Sequence, residues 1–137
     1  MMEKRKPPVL RAVRVREGLA LVSMELFPCA ACEAVLRLGD AQMLLGAPRA
    51  GWLSAVVHEE ALGRIPDTCR CVVRTGIRIA DVYGMAMQDC CTEVLRVLAD
   101  AGAELLGVSL CTQRLSAAYA GDAAAAPLLF QRFSFEL

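Results

Sequence analysis

The chain has 137 residues, with 15 basic and 15 acidic side chains and so no formal net charge. That balance excludes the electrostatic footprint of a nucleic-acid or membrane-surface binder, and the length allows one ordinary core or two small ones. The apolar share of 56% and the mean hydropathy of +0.44 are high for so small a chain, which predicts an apolar face covered by another subunit, hence an oligomer.

Residues 1–8 read as a solvated basic lead, with Lys4, Arg5, Lys6 and an extended Pro7-Pro8. No apolar segment of a secretion signal follows them. The best apolar run, Leu19 to Phe27, is too short to cross a bilayer and carries Glu25. A short strand is expected from Val9 through Val13 and Val15, then a turn at Glu17-Gly18. A first repeat follows: a strand from Leu19 to Leu26, a turn at Phe27-Pro28-Cys29, and a helix to Leu38. Pro28 suits the helix start, Glu33 and Arg37 can pair at i+4, and Gly39 ends the helix. Strands at Met43 to Ala47 and Trp52 to Val57 come next. His58, Ala61, Leu62 and Ile65 then mark a short helix, and Pro66-Asp67 breaks the halves.

The second repeat has the same order. A strand over Cys69 to Val73 leads to an alternating run of Ile77, Ile79 and Val82, and the turn Gln88-Asp89-Cys90-Cys91 opens a helix. Cys91, Val94, Leu95 and Leu98 fall on one helical face. Asp89 is the expected N-cap and Gly102 the C-terminal stop. Met85 and Met87 alternate along a strand end and read as core. Strands at Leu105 to Val108 and Leu115 to Tyr119 precede a last helix. There Ala126, Leu129, Phe130 and Phe133 share a face, and Pro127 lies near the first turn. The expected division is a lead at 1–8 and units at 9–66 and 67–137. Two helices on one face of a four-stranded antiparallel sheet make a ferredoxin-like α+β layer, here in tandem.

Three stretches carry a family resemblance: Val9 to Val13 with Gly18 to Met24; Leu98-Ala99-Asp100-Ala101-Gly102 through Leu106; and Ser109 to Ser116 with the terminal helix through Phe133. Residues 76–135 resemble an ACT domain. The chain from Val9 onward is similar to the tandem ACT regulatory region of aspartate kinases. The resemblance implies binding of a small effector, usually an amino acid such as lysine or threonine, and control of a catalytic partner. It does not imply kinase activity, because the Lys-Phe-Gly-Gly-type phosphate loop has no counterpart here. The chain is then a freestanding regulatory piece or the small subunit of a two-subunit enzyme. Neither loop has the family's Pro-Gly pair. Trp52 stands where the first unit usually has a polar residue, and Thr112 stands near the place of the family's Glu. Those departures imply a different, less polar ligand or one closed site.

The chemistry of such a site is that of a helix start. Backbone N–H groups there suit a carboxylate, and a neighbouring oxygen takes the ammonium. The candidate effector residues are Phe27, Pro28, Cys29, Ala30 and Trp52 in the first unit, with Ala47 nearby. In the second they are Gln88, Asp89, Cys90, Ser109 and Thr112. No catalytic residue, cofactor or metal is expected, and no nucleic-acid or membrane partner. The expected partners are an amino-acid-like effector, a second copy in a homodimer, and a catalytic enzyme of amino-acid biosynthesis.

Seven cysteines, placed on elements rather than around loops, suit reduced thiols in a cytoplasm. Cys29-Ala-Ala-Cys32 and Cys90-Cys91 at helix starts admit a redox switch or shared thiolate site. They equally admit small buried side chains in place of alanine. His58 reads as a surface or cap imidazole. Trp52 reads as core or interface, or as a ring for an effector to stack on. Asp89 as an N-cap needs no ligand. Arg11, Arg14 and Arg16, with the basic lead, could dock an acidic partner. The rival functions are an interaction module with degenerate effector sites and a thiol enzyme.

Overall fold

The computed structural model describes residues 9–27, 41–122 and 124–135. The chain forms two compact units, one of residues 17–78 and one of residues 1–16 with 79–137. Two long strands, β1 (Val9–Glu25) and β4 (Cys71–Gly84), contribute one end to each unit. The remaining strands are β2 (Ala41–Gly46), β3 (Trp52–His58), β5 (Glu104–Leu110), β6 (Arg114–Ala120) and β7 (Ser134–Phe135). Among the described residues the helices are α1 (Met87–Asp100), α2 (Ala125–Arg132) and a 3-10 turn at Glu59–Arg64.

In the 17–78 unit the strand order is β2-β3-β1-β4. β1 and β3 are antiparallel from Leu19↔His58 to Glu25↔Trp52. The ion pairs Glu17–Arg78 and Glu25–Arg70 step in opposite directions along β1 and β4, so these strands are antiparallel too. Val22, Met24, Ala55 and Val57 pack with Ala61 of the 3-10 turn. The residues between them point to the other face, as the two-residue period of a strand requires.

In the other unit the order is β7-β1-β4-β6-β5. Met87, Cys90, Val94 and Leu98 of α1 and Ala125 and Leu129 of α2 share one core with Ala80, Val82, Leu115, Ala117 and Tyr119. Both helices therefore cover the same face of the sheet. This is the ferredoxin-like layer expected twice over, and the sheets are antiparallel except where β7 pairs parallel with β1 at Val9↔Ser134 and Leu10↔Phe135. The strand beside β4 comes from the N-terminus, not from the chain after α2. Packing thus divides the chain at 16/17 and 78/79, whereas the sequence pattern predicts a division at 66/67.

Several local expectations are corrected. Glu17-Gly18 does not reverse the chain: both lie within β1, with Gly18 at φ 70°. Asp89 is not the N-cap of α1. That place belongs to Ala86, and the N–H of Met87 at the first helical position finds the Thr112 carbonyl at 2.8 Å. A backbone acceptor replaces the side-chain cap, and Asp89 falls in the first turn, where its charge suits the helix dipole. Met85 is exposed and only Met87 is core. Phe130 is exposed, its ring 4.3 Å from that of Phe135.

Gly102 does stop α1. Its N–H donates to Ala99 and that of Ala103 to Leu98, the paired bonds of a Schellman motif. His58 is exposed and precedes the 3-10 turn without a side-chain cap bond. Among the described residues no helix is long and apolar enough to cross a membrane.

Candidate functional site

At one end of the 17–78 unit, the register sets Trp52 opposite Glu25. The Leu26 N–H donates to the Gly51 carbonyl at 2.8 Å, and the Trp52 N–H to the Arg49 carbonyl at 3.1 Å. This closes the β2–β3 turn against the exit of β1. The Arg49 guanidinium lies over the indole, 4.2 Å from its centroid. Phe27, next along, is 78% exposed. Leu53, Ala55 and Val57 belong to the core, so Trp52 and Ser54 face the opposite side, as does Glu25 between Met24 and Leu26. Trp52 is half-buried, neither core nor free. The structure therefore brings Phe27 and Trp52 to one end of the unit. Pro28, Cys29 and Ala30, with the expected helix, Glu33, Arg37 and Gly39, lie outside the described residues.

In the other unit Gln88 and Thr112 do meet, Nε2 to Oγ1 at 3.4 Å. The helix start is less open than the sequence suggests. The Met87 N–H is taken by Thr112, and the Asp89 N–H by the Ala86 carbonyl at 3.1 Å. The Asp89 side chain is exposed. Cys90 is 3% exposed and belongs to the core, its thiol 3.8 Å from the Met87 carbonyl oxygen. Ser109 pairs with Ser116, which faces away from α1, so its side chain is on the far side of the sheet from Gln88.

Sequence reasoning missed a third cluster. Asp81, 1% exposed, lies on β4 between core residues Ala80 and Val82 and points away from the helices. Its Oδ1 accepts from the Ser116 hydroxyl at 2.6 Å and from Arg16 Nη2 at 3.3 Å. Its Oδ2 accepts from Arg14 Nη2 at 3.0 Å and lies 2.9 Å from Arg16 Nε. Burial alone raises this carboxyl. The Ser116 hydroxyl and the Arg14 and Arg16 guanidinium groups outweigh it and hold the group below the usual carboxylate range. Arg14 and Arg16 thus both have a counter-charge within the chain, and the Arg14 side chain stays 62% exposed. The available signal was an acid inside an apolar alternating run, which demands a partner.

No family model matches the sequence, and no curated protein matches it. Solved structures do. The ligand-free regulatory subunit of aspartate kinase from Thermus thermophilus superposes with a TM-score of 0.71 at 15% identity, over 92% of this chain and 100% of that one. The fold is that of an aspartate kinase regulatory subunit. The Thermus flavus regulatory subunit gives 0.65 at 15% identity, over 93% and 99%. E. coli aspartokinase III in complex with lysine and aspartate gives 0.59 at 15%, over 96% of this chain and 35% of that chain.

Cys29 and Cys32, one half of the expected redox or thiolate pairing, lie outside the described residues. Cys90 is buried in the second unit, and burial, with Glu93, Cys91 and Asp89 adding to it, pushes its thiol up. That is the opposite of an activated nucleophile. Cys71, Cys90, Cys91 and Cys111 are free thiols. Cys69 is disulfide-bonded, so the expectation of an all-reduced set fails at that position; cysteine spacing alone does not fix pairing.

Proposed function

We propose that this chain is a non-catalytic regulatory protein that binds a small amino acid or related metabolite and modulates an enzyme of amino-acid biosynthesis, in the manner of aspartate kinase regulation. The observation that carries the reading is the superposition on the whole of an isolated regulatory subunit, with a TM-score of 0.71. Its duplicated ACT-like pieces, 9–66 and 67–137, act as paired receptors in a cytoplasmic homodimer docked on a catalytic partner. Exposed apolar side chains such as Val72 and Val108 support the burial of further surface. The mechanism is a population shift: the effector binds one arrangement of the units better and biases the partner. Coupling of about 1–3 kcal/mol is enough.

A second reading, an interaction module with degenerate sites, draws on the satisfied N–H groups at Met87 and Asp89. It applies most directly to the candidate residues Gln88, Asp89, Cys90, Ser109 and Thr112. In the first reading the competent site is the one at Phe27 and Trp52.

Thermal shift against the proteinogenic amino acids tests the proposal. A ligand at a hundred times its Kd adds about 2.7 kcal/mol to stability and raises Tm by several degrees. No response from any of them, together with stable co-purification with a catalytic chain, favours the interaction module.

A further inference from the structure

We infer that the effector is a free amino acid with an aromatic or large apolar side chain, bound on the Trp52 face of the 17–78 unit, with its carboxylate on Arg49 and its ammonium on Glu25. This rests on the effector reading above and narrows it to a ligand class and a place.

Arg49 is exposed, and its guanidinium lies over the Trp52 ring, 4.2 Å from the centroid. A guanidinium over an indole is held by one face, while its in-plane N–H donors stay directed outward. Those donors match a carboxylate bidentately. The indole is half-buried with the guanidinium over its face, and the exposed Phe27 ring beyond Leu26 adds a second aromatic group at the same end.

Glu25 stands directly across from Trp52, within the reach of cross-strand neighbours. Its ion pair with Arg70 is 4.0 Å long, and the Arg70 side chain is 78% exposed. So long and exposed a pair is weak, and a ligand ammonium can take the carboxylate over at little cost.

The described residues of the same face disfavour a second cation on the ligand. Beside Glu25 and Trp52 the strands present Ser23 and Ser54, whose hydroxyls are 2.7 Å apart and bonded to each other. One carboxylate serves one ammonium. Among the described residues of this strand pair a lysine side chain meets the indole while Glu25 already serves the α-ammonium, whereas a phenyl or isobutyl group meets a matching surface.

Trp52 is the only tryptophan in the chain, so its fluorescence reports on this place directly. The full chain is titrated with phenylalanine, leucine, lysine and threonine, following Trp52 emission and heat in parallel. Phenylalanine or leucine should give a saturable emission change coincident with the heat. Arg49→Gln should weaken that binding roughly tenfold or more. Trp52→Phe should retain binding measured by heat, and Trp52→Ala should lose it. Heat from lysine or threonine with no change in emission overturns this placement and leaves the effector reading standing. Phenylalanine binding indifferent to Arg49→Gln overturns the placement as well. Silence from all four ligands in both signals overturns this inference, and silence across the wider amino-acid set overturns the effector reading too. If a variant fails to fold, the wild-type comparison of emission with heat still decides.

Discussion

The Ser116 hydroxyl donates to Oδ1 of Asp81 at 2.6 Å, joining the middle of β6 to a carboxylate that is 1% exposed. Arg14 and Arg16 close the same carboxylate from β1. Three strands of one unit are therefore tied on the face its helices do not cover. Asp81→Ala leaves the part-buried Arg16 without this counter-charge and should cost about 2–4 kcal/mol. Ser116→Ala removes one charge-assisted bond and should cost less, about 1–2 kcal/mol. Urea unfolding checks both: the midpoint should fall with an unchanged m-value.

The same carboxylate makes stability depend on pH. Asp81 is held below the usual range in the folded protein, and an unfolded Asp titrates near about 3.9. A group lowered by folding stabilises above its unfolded value, and the contribution fades as pH falls through the lower folded value. The stability gap between wild type and Asp81→Asn should therefore be full at neutral pH and shrink progressively below about pH 4. Paired thermal melts across that range measure it. A gap that widens on acidification contradicts the assignment.

Thiol reactivity should follow burial. Cys111 is exposed on the β5–β6 turn, whereas Cys90 is buried with its thiol pushed up. Timed alkylation of the native protein near neutral pH, read by peptide mass spectrometry, should label Cys111 first. Cys90 should stay protected until the protein unfolds. Equal rates at the two positions would mean that α1 does not pack as described.

Gly102 has φ 96° at the end of α1, and a Cβ there would meet nothing within 4 Å. Gly102→Ala should therefore act through backbone conformation alone and cost about 1 kcal/mol. Calorimetric melting should show a small drop in Tm with no change in the effector response.

The regular elements were legible where periodicity is strong. The spacing of Val94 and Leu98 placed α1, and Gly102 placed its end, because a 3.6-residue repeat and a left-handed stop are local properties. The alternation of Ile77 and Ile79 placed β4 for the same reason, while Val82, out of step with them, faces the helix-covered core. Asp89 was misassigned as a cap because the partner that displaces it, the Thr112 carbonyl, is 25 residues from Met87 in the chain. The roles of Arg14 and Arg16 were hidden likewise, since Asp81 is more than 60 residues away.

By itself the sequence determined the duplicated order of strands and helices, since each element answers to side chains within a few residues of it. Tertiary structure decided what could not be local. It set Glu25 opposite Trp52, drew Arg14 and Arg16 onto Asp81, and gave β1 and β4 a place in both units. Strand pairing joins residues that chain connectivity leaves far apart, and the gain comes from burying whole faces together, which no short window of sequence contains.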